Sequence, residues 1–312
     1  MVYSPGKPVP SRTPLPSALA GSTALLIGGS SGIGLAAGVL LRSVAARVVL
    51  VGRDPARLAA AVSQLRAERP AMAAGDGSAP GLAGDGPASN LPGDGPASGL
   101  AGDGPASGLA GDGSASGLAG DEAVLGVVGD GGDEATIAAA FERAGHVDHV
   151  LVTAGGFSGA GPLTELSADD IRGTVDSRLW PAFAVARAAA TRLPAGGSLT
   201  FSSGILVLRP GPGMTAPLSL IGAVETLTRA LAVELAPARL RVNAVRYGRI
   251  DTPLLRSLPG HGSDDEIATA GATTPLGRFG SASEAAAGAL FLMANNYVTG
   301  QIITVDGGET LN

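Results

Sequence analysis

The segment that most constrains the fold is a short apolar run, residues 24–27, which leads directly into a glycine-rich turn and then into an apolar helix. Three glycines space this turn as Gly-x-x-x-Gly-x-Gly. Where a strand turns into a helix, the unpaired backbone N–H groups at the start of the helix can bind a phosphate. Glycine has no Cβ, so the backbone can come close to that phosphate. The segment therefore predicts a dinucleotide site, with a tight turn that binds nothing as the alternative. The predicted phosphate-binding residues are Gly28, Ser30, Ser31, Gly32, Ile33 and Gly34.

Apolar runs typical of strands alternate with helical segments along the rest of the chain. Further strands are predicted at 48–51, 124–128, 149–153, 198–202, 240–245 and 300–305, and helices at 55–68, 134–144, 169–193 and 218–235. Such alternation is typical of a parallel sheet covered by helices on both faces. We therefore predict an α/β fold, with a doubly wound, mostly parallel sheet of seven strands in a single domain over residues 21–312.

The end of the second predicted strand indicates which dinucleotide is bound. In folds of this type, an acidic residue at that point binds the free 2′-hydroxyl of NAD, whereas an arginine accommodates the 2′-phosphate of NADP. Here Gly52 takes the position of the acid and Arg53 follows it. The sequence therefore favours NADP(H) over NAD(H). In the alternative interpretation, Arg53 is an ordinary solvated charge and Asp54 caps the next helix.

Two segments lack the composition of a folded core. Residues 1–20 are rich in proline, and we expect a disordered tail. Residues 72–121 repeat glycine, aspartate and alanine with a nine-residue period and contain no aromatic or β-branched side chain, so the sequence predicts a disordered insertion that interrupts the domain. A calcium-binding roll is disfavoured, because its apolar position is occupied by Pro87, Pro96 and Pro105.

Composition excludes several classes of function. The chain has no cysteine, so it has neither disulfides nor a catalytic thiol. Its net charge of −6 comes from aspartates in the repeat, because the other 21 acidic residues equal the 21 basic ones. This balance argues against nucleic acid or an anionic membrane as a partner, and no apolar run is long enough to span a bilayer. We expect a cytoplasmic protein without a metal site, since His146, Asp148 and His149 merely precede a buried strand.

Four motifs together resemble the short-chain dehydrogenase/reductase family, over nearly all of residues 22–311 apart from the repeat. They are the glycine turn at 28–34, a strand end at 152–155, the segment 242–253 and the segment 305–308. The resemblance implies a Rossmann-type fold and places Asp130 beside the adenine and Thr252 at the nicotinamide carboxamide. The other cofactor residues that it implies are Arg53, Ala154, Gly155, Gly156 and Ile250. It also implies a homodimer or homotetramer, because two long helices pair across subunits in this family.

The catalytic residues of that family are mostly missing. Its mechanism uses a tyrosine, a lysine, a serine and an asparagine, and an unassisted phenol with a pKa of ~10 is a poor base. Aligning the helix that contains residues 222–235 places Pro217 at the tyrosine and Ile221 at the lysine. No shift of register restores the pair, because the chain has a single lysine, Lys7, and its tyrosines are Tyr3, Tyr247 and Tyr297. Ser203 matches the serine, with Ser202 as the alternative, and Arg178 takes the asparagine position.

Three hypotheses for the function remain open. In the first, the chain is an NADP(H)-dependent oxidoreductase with an atypical active site, which transfers hydride to or from a small carbonyl, alcohol or imine substrate. In the second, the fold performs non-redox chemistry, such as a cyclisation, isomerisation or elimination. In the third, the protein is a catalytically silent NADP-binding or scaffold protein.

The first hypothesis gives three residues catalytic roles. Ser203 would hold the substrate oxygen and Tyr247 would donate the proton. Arg178 would lower the pKa of Tyr247 or hold the substrate oxygen itself. Alternatively, Tyr247 packs under the cofactor and Arg178 pairs with Asp176 or Asp170. His261, in the region that the family uses as a substrate lid, is another candidate acid.

Overall fold

The computed structural model describes residues 16–68, 122–155 and 158–311. Its main sheet has seven strands, all paired in parallel, in the order β3-β2-β1-β4-β5-β6-β9. These strands are β1 (Thr23–Ile27), β2 (Arg47–Gly52), β3 (Val124–Val128), β4 (His149–Val152), β5 (Ser198–Gly204), β6 (Arg241–Tyr247) and β9 (Ile302–Val305). The central strands are buried on both faces, which is why β1, β2 and β4 contain continuous apolar runs in the sequence. The predicted seven-stranded sheet is confirmed.

Helices cover both faces of this sheet, so the fold is doubly wound. On one face a buried apolar cluster joins the sheet to α1 (Gly32–Ser43), α2 (Pro55–Ala67) and α9 (Ala282–Ala294). On the other face a second cluster joins it to α3 (Glu134–Ala144), α5 (Trp180–Arg192) and α6 (Thr215–Glu234). Ligands of such open sheets bind at the carboxyl ends of the strands, where the order of strands reverses between β1 and β4.

Shorter elements build the carboxyl edge of the sheet. After β6 the chain forms β7 (Ile250–Asp251), α7 (Pro253–Arg256) and α8 (Asp264–Gly271), and β7 pairs with β8 (Gly280–Ser281) in a two-stranded sheet that was not predicted. The helix expected over 169–193 is divided: α4 (Ala168–Thr174) is followed by a π-helical segment, Val175–Leu179, before α5 begins. Hence the expected distortion lies mainly before Pro181, which is accommodated in the first turn of α5.

The amino-terminal segment ends in ordered structure. Pro16–Leu19 forms a 3-10 turn, and Leu19 is buried against the cluster that contains α9. The expectation of a disordered tail through residue 20 is therefore wrong for these residues, because Leu19 provides an apolar anchor. The repeat at 72–121 lies outside the described residues.

One described helix is long and apolar enough to cross a membrane by length and composition alone. This helix is α6, with 20 residues, and we did not expect an apolar stretch of that length. However, 56% of its most apolar window is buried inside the protein, and it packs on β5 and β6. Its packing is that of a core helix.

Candidate active site

The glycine turn between β1 and α1 has the close packing that its sequence predicts. Gly28 has a φ of 91°, and a Cβ built on it would lie 2.7 Å from the backbone nitrogen of Ala154. A Cβ on Gly34 would collide with the carbonyl oxygen of Gly28. The Ser31 side chain at the amino end of α1 makes no capping hydrogen bond, so it does not satisfy the first N–H groups of that helix. The turn therefore fits a dinucleotide phosphate, which these N–H groups would hold.

Thr153 fixes the strand end beside the turn. Its Oγ1 donates to the carbonyl oxygen of Gly28 at 3.1 Å, and a side chain on Gly34 would also collide with it. The following residues, Ala154 and Gly155, extend the edge of β4, and Gly155 has a φ of 148°. Thr153 was not among the predicted site residues, although its position directly before Ala154, a predicted cofactor residue, could have identified it. Gly156, which was predicted to bind cofactor, lies outside the described residues.

The predicted adenosine residues meet at the ends of β2 and β3. Arg53 Nη1 lies 3.9 Å from Asp130 Oδ2, and their side chains are 83% and 57% exposed. Asp130 Oδ1 also accepts a hydrogen bond from the Gly132 backbone N–H at 2.8 Å. A Cβ on Gly52 would come within 2.9 Å of Ser30 Oγ, so the missing side chain leaves room beside that hydroxyl. Arg53 and Ser30 are thus available to a ligand phosphate at this corner.

Asp54 caps α2, as the alternative interpretation of this corner expected. Its Oδ1 accepts from the backbone N–H groups of Ala56 and Arg57, at 2.9 and 3.1 Å. The hydrogen bond from Arg57 is the main reason that the pKa of Asp54 is lowered. Because Asp54 is occupied in this way, it does not replace the missing acid at Gly52.

The segment predicted to face the nicotinamide reaches back to the glycine turn. Thr252 Oγ1 donates to the Ile250 carbonyl at 3.2 Å and accepts from Leu255 N–H at 3.4 Å, which caps α7. The Thr252 methyl group lies 3.5 Å from the position that a Cβ on Gly32 would take. Consequently, the loop between β6 and α7 and the start of α1 form two sides of one crevice.

Arg178 lies in the π-helical segment and faces the ends of β4 and β5. Its Nη2 donates a long hydrogen bond of 3.4 Å to the Ser202 carbonyl, and a side chain on Gly155 would collide with its guanidinium. Burial lowers the pKa of Arg178. The structure includes no ion pair between Arg178 and Asp170 or Asp176 among the residues that it describes. In the alternative interpretation, Arg178 pairs with one of these two aspartates. Asp170 instead forms a capping box with Ser167.

Ser203 belongs to a buried polar network that the sequence did not reveal. Its Oγ donates to Glu225 Oε1 at 2.6 Å. Arg246 binds the same carboxylate with both arms of its guanidinium, Nε to Oε1 at 2.8 Å and Nη2 to Oε2 at 2.6 Å. The Arg246 and Glu225 side chains are only 12% and 6% exposed. The available signals were a glutamate within the apolar helix and an arginine within the apolar strand that follows it.

Glu225 lies on the same face of α6 as the two positions where the resemblance places the tyrosine and the lysine. Pro217 and Ile221 precede it by eight and four residues, which is close to the helical repeat. Both are buried, and Ile221 is only 1% exposed. This face of the helix is therefore apolar at the catalytic positions and acidic one turn further along.

The structure contradicts the role expected for Tyr247. The residue is 7% exposed and lies in the apolar cluster that contains α1 and α9, whereas Ser203 faces Glu225 on α6. Its hydroxyl is buried and has no hydrogen-bond partner among the described residues, and burial raises the pKa of the phenol. Neighbouring residues of a strand point to opposite faces, so Tyr247 points away from the face on which Arg246 meets Glu225. Tyr247 is not placed to donate a proton beside Ser203.

The histidines also have local partners. His146 Nε2 lies 2.9 Å from Asp148 Oδ1, and His149 Nδ1 lies 2.8 Å from Ser198 Oγ. His261 stacks on the Phe279 ring, with 6.0 Å between the ring centroids. Within the described ranges, no three metal-binding side chains of the histidine, cysteine or acidic type come together.

Comparisons with known proteins agree with this architecture. The family model described as enoyl-(acyl carrier protein) reductase matches residues 115–310. The 3-oxoacyl-[acyl-carrier-protein] reductase FabG of Thermotoga maritima is 33% identical over 171 residues, which cover 54% of this chain and 68% of that protein. The chain spans about two thirds of the length of such curated relatives.

Solved structures share the fold over almost the whole chain. A short-chain type dehydrogenase/reductase from Mycobacterium ulcerans has 27% identity and a TM-score of 0.69, and the match covers 94% of this chain and 91% of that one. A small-chain dehydrogenase in complex with NADPH has 24% identity and a TM-score of 0.64, with 94% and 100% covered. At this identity the second likeness concerns the fold alone.

Proposed function

This chain belongs to the short-chain dehydrogenase/reductase family, and from that premise we propose that it is an NADP(H)-dependent oxidoreductase with an atypical active site. Its relatives include reductases and dehydrogenases. The substrate is a small carbonyl compound, alcohol or imine, and the cofactor is NADP(H) in preference to NAD(H). The protein is cytoplasmic and uses neither nucleic acid nor a membrane as a partner.

The observation that carries the proposal is the intact cofactor crevice. Gly28 and Gly34 pack too closely for any side chain, and Thr252 closes the crevice from the other side. NADPH fits these residues, because backbone N–H groups at the start of α1 would hold its pyrophosphate. Arg53 and Ser30 would hold the 2′-phosphate, since Gly52 offers no carboxylate to repel it. When bound, the cofactor supplies or accepts the hydride.

The polar groups that face the substrate are Arg178 and Ser203. Reduction adds a hydride to the substrate carbon and a proton to its oxygen or nitrogen. The Arg178 guanidinium would stabilise negative charge that develops on the oxygen, a role that does not require Arg178 to lose a proton. Ser203 donates its hydrogen to Glu225, so its oxygen is left to accept a hydrogen bond from a substrate hydroxyl or N–H.

This arrangement would replace the missing tyrosine and lysine by electrostatic stabilisation and positioning. Water would supply the proton in reduction and receive it in oxidation. Such positioning of a substrate beside the hydride donor accounts for much of the rate in enzymes of this kind. Tyr247 has no part in the proposal, because its hydroxyl is buried on the other face of β6.

The test is a turnover assay that follows NADPH absorbance with a panel of ketones, oxo acids and imines. We expect turnover with at least one class, and we expect Ser203→Ala to reduce the rate without changing NADPH affinity. NADPH binding without turnover of any compound would favour the non-redox hypothesis, in which the cofactor is structural. A silent scaffold would be indicated if, in addition, no small molecule of the panel bound.

We also propose that the protein is a homodimer or homotetramer. Trp180 and Phe183 on α5 are 43% and 42% exposed, and Val233 on α6 is 78% exposed. Large apolar side chains at the surface of neighbouring helices are typical of subunit contacts. Size-exclusion chromatography with light scattering should give a mass at least twice that of the chain, and a monomer would refute this part of the proposal.

A further inference from the structure

The guanidinium of Arg178 lies in the crevice with most of its hydrogen-bond donors unmatched by the described residues around it. A guanidinium has five N–H donors, and among the described residues this one makes a single hydrogen bond, the 3.4 Å contact with the Ser202 carbonyl. Its position against Gly155 places it at the carboxyl ends of β4 and β5, where ligands of such sheets bind. Hydrogen-bond donors that point into a ligand crevice and lack acceptors there indicate that a bound ligand supplies the acceptors.

The charge of Arg178 is likewise uncompensated by the described residues. Other arginines around this edge have carboxylates: Arg246 pairs with Glu225, Arg249 with Glu309 and Arg256 with Asp251. No carboxylate of the described ranges lies within ion-pair distance of Arg178. Glu225 is already bound by Arg246 and Ser203 and is not available. A partly buried cation without a partner is costly to maintain, and it becomes favourable when an anion fills the site.

The backbone around Arg178 is built to aim this side chain. The π-helical segment Val175–Leu179 interrupts the helix at this point, and such insertions occur frequently at functional sites. Trp180 then anchors the start of α5, because its Nε1 donates to the Gly132 carbonyl at 3.1 Å. The planar guanidinium is matched in shape to a carboxylate, which it binds with two parallel hydrogen bonds.

We propose that Arg178 binds a carboxylate of the substrate, so that the substrate is a short oxo acid or the corresponding hydroxy acid. The inference rests on the proposed function and narrows its substrate class. A carboxylate one or two carbons from the reacting carbon lets the same guanidinium contact the carboxylate and the reacting oxygen. The other source of an anionic oxygen is a cofactor phosphate, and the experiment separates the two.

The experiment measures binding by calorimetry in the cofactor-free and in the NADP⁺-loaded protein. The probes are 2-oxobutanoate and 3-oxobutanoate, each compared with its methyl ester, which lacks the charge. The variants are Arg178→Gln and Arg178→Lys. Arg172→Gln is the matched control, since Arg172 lies six residues earlier and pairs with Asp169 at the exposed surface.

We expect the wild type and the control variant to bind at least one acid about tenfold or more tightly than its ester, and Arg178→Gln to lose that preference because acid binding weakens far more than ester binding. Arg178→Lys should retain part of the preference for the acid over the ester, because lysine keeps the positive charge but lacks the two parallel N–H donors of the guanidinium. Thermal melting of each variant checks that it is folded.

Equal affinity for acid and ester in the wild type, or acid binding that survives Arg178→Gln, would overturn the inference. Weaker NADPH binding in Arg178→Gln with unchanged acid binding would assign the guanidinium to the cofactor and also overturn it. Failure of the wild type to bind NADPH would instead count against the proposed function, because acid binding is measured separately in the cofactor-free protein.

Discussion

The buried pair between Glu225 and Arg246 allows a quantitative prediction. The two side chains are 6% and 12% exposed and make two hydrogen bonds of 2.8 and 2.6 Å, so solvent screens them little. Removing one partner of such a pair leaves an uncompensated charge, at a cost of roughly 3–5 kcal/mol. Glu225→Met also removes the acceptor of the Ser203 hydroxyl and should lie at the upper end of this range.

Replacing both charges should restore most of the lost stability. A buried ion pair replaced by apolar side chains of similar volume is often neutral or stabilising, so the double variant Glu225→Met with Arg246→Met should lie within about 2 kcal/mol of the wild type. For a protein of this size, the single variants should melt roughly 6–20 °C lower.

The assay is a double-mutant cycle by urea denaturation. Arg187→Met is the control, because its pair with Glu134 is 66% and 54% exposed and should be worth less than about 1 kcal/mol. The reasoning would be refuted if each single variant cost less than about 1 kcal/mol, or if the double variant lost the sum of the two single losses.

Three further predictions concern other described residues. Gly34→Ala should abolish NADPH binding and destabilise the fold, because its Cβ would collide with the Gly28 carbonyl. Its control Gly173→Ala, in open space on α4, should add about 0.5–1 kcal/mol of stability. Calorimetry measures NADPH binding and urea melts measure stability, and a stable Gly34→Ala variant that binds NADPH would contradict the packing argument. Tyr247→Phe should keep turnover and match or exceed wild-type stability, since it removes a buried hydroxyl that no described residue binds. Loss of turnover in a folded variant would return Tyr247 to the mechanism. Hydrogen bonding from Arg278 holds the pKa of Glu284 at about 2, below its ordinary 4.5, so Glu284 stabilises the fold above pH 4.5 and this stabilisation is lost as the pH falls toward 2. Glu284→Gln should flatten that part of the curve of stability against pH, by a small amount because the side chain is half exposed. An unchanged slope would refute the assignment.

The fold was predictable because its signals are local. The strands β1, β2 and β4 contain continuous apolar runs, and each helix between strands has its own apolar face, so element type and order follow from short windows of sequence. The glycine turn was predictable for the same reason. Gly28 and Gly34 are required by contacts within or next to one strand–turn–helix unit.

The catalytic end of the site depends on contacts between distant elements. The failed expectation for Tyr247 came from its position in the chain near the nicotinamide segment, which does not determine the face of the strand. The register of β5 with β6 sets that face: Ser203 lies opposite Arg246, and Tyr247 lies opposite Gly204. Such register is a property of the assembled sheet, and the pairing of Arg246 with Glu225 arises from it.

The interruption of the helix before α5 was predictable only in part. A proline at 181 indicated a distortion, but the π-helical turn lies before it, where no residue type marks a change of hydrogen-bonding pattern. The position of Arg178 follows from this turn. Its assignment to the asparagine position came from the family resemblance and not from helical periodicity, and its contact with Gly155 was not predicted.

The measurement that tests the central claim most directly is calorimetric titration of the wild type and of Arg53→Ala with NADPH and with NADH. The account predicts that the wild type binds NADPH about tenfold or more tightly than NADH, and that Arg53→Ala loses this preference while binding NADH as before. Equal affinity for the two cofactors in the wild type would contradict the assignment of Arg53 to the 2′-phosphate. Absence of binding for both would contradict the claim that the glycine turn holds a dinucleotide.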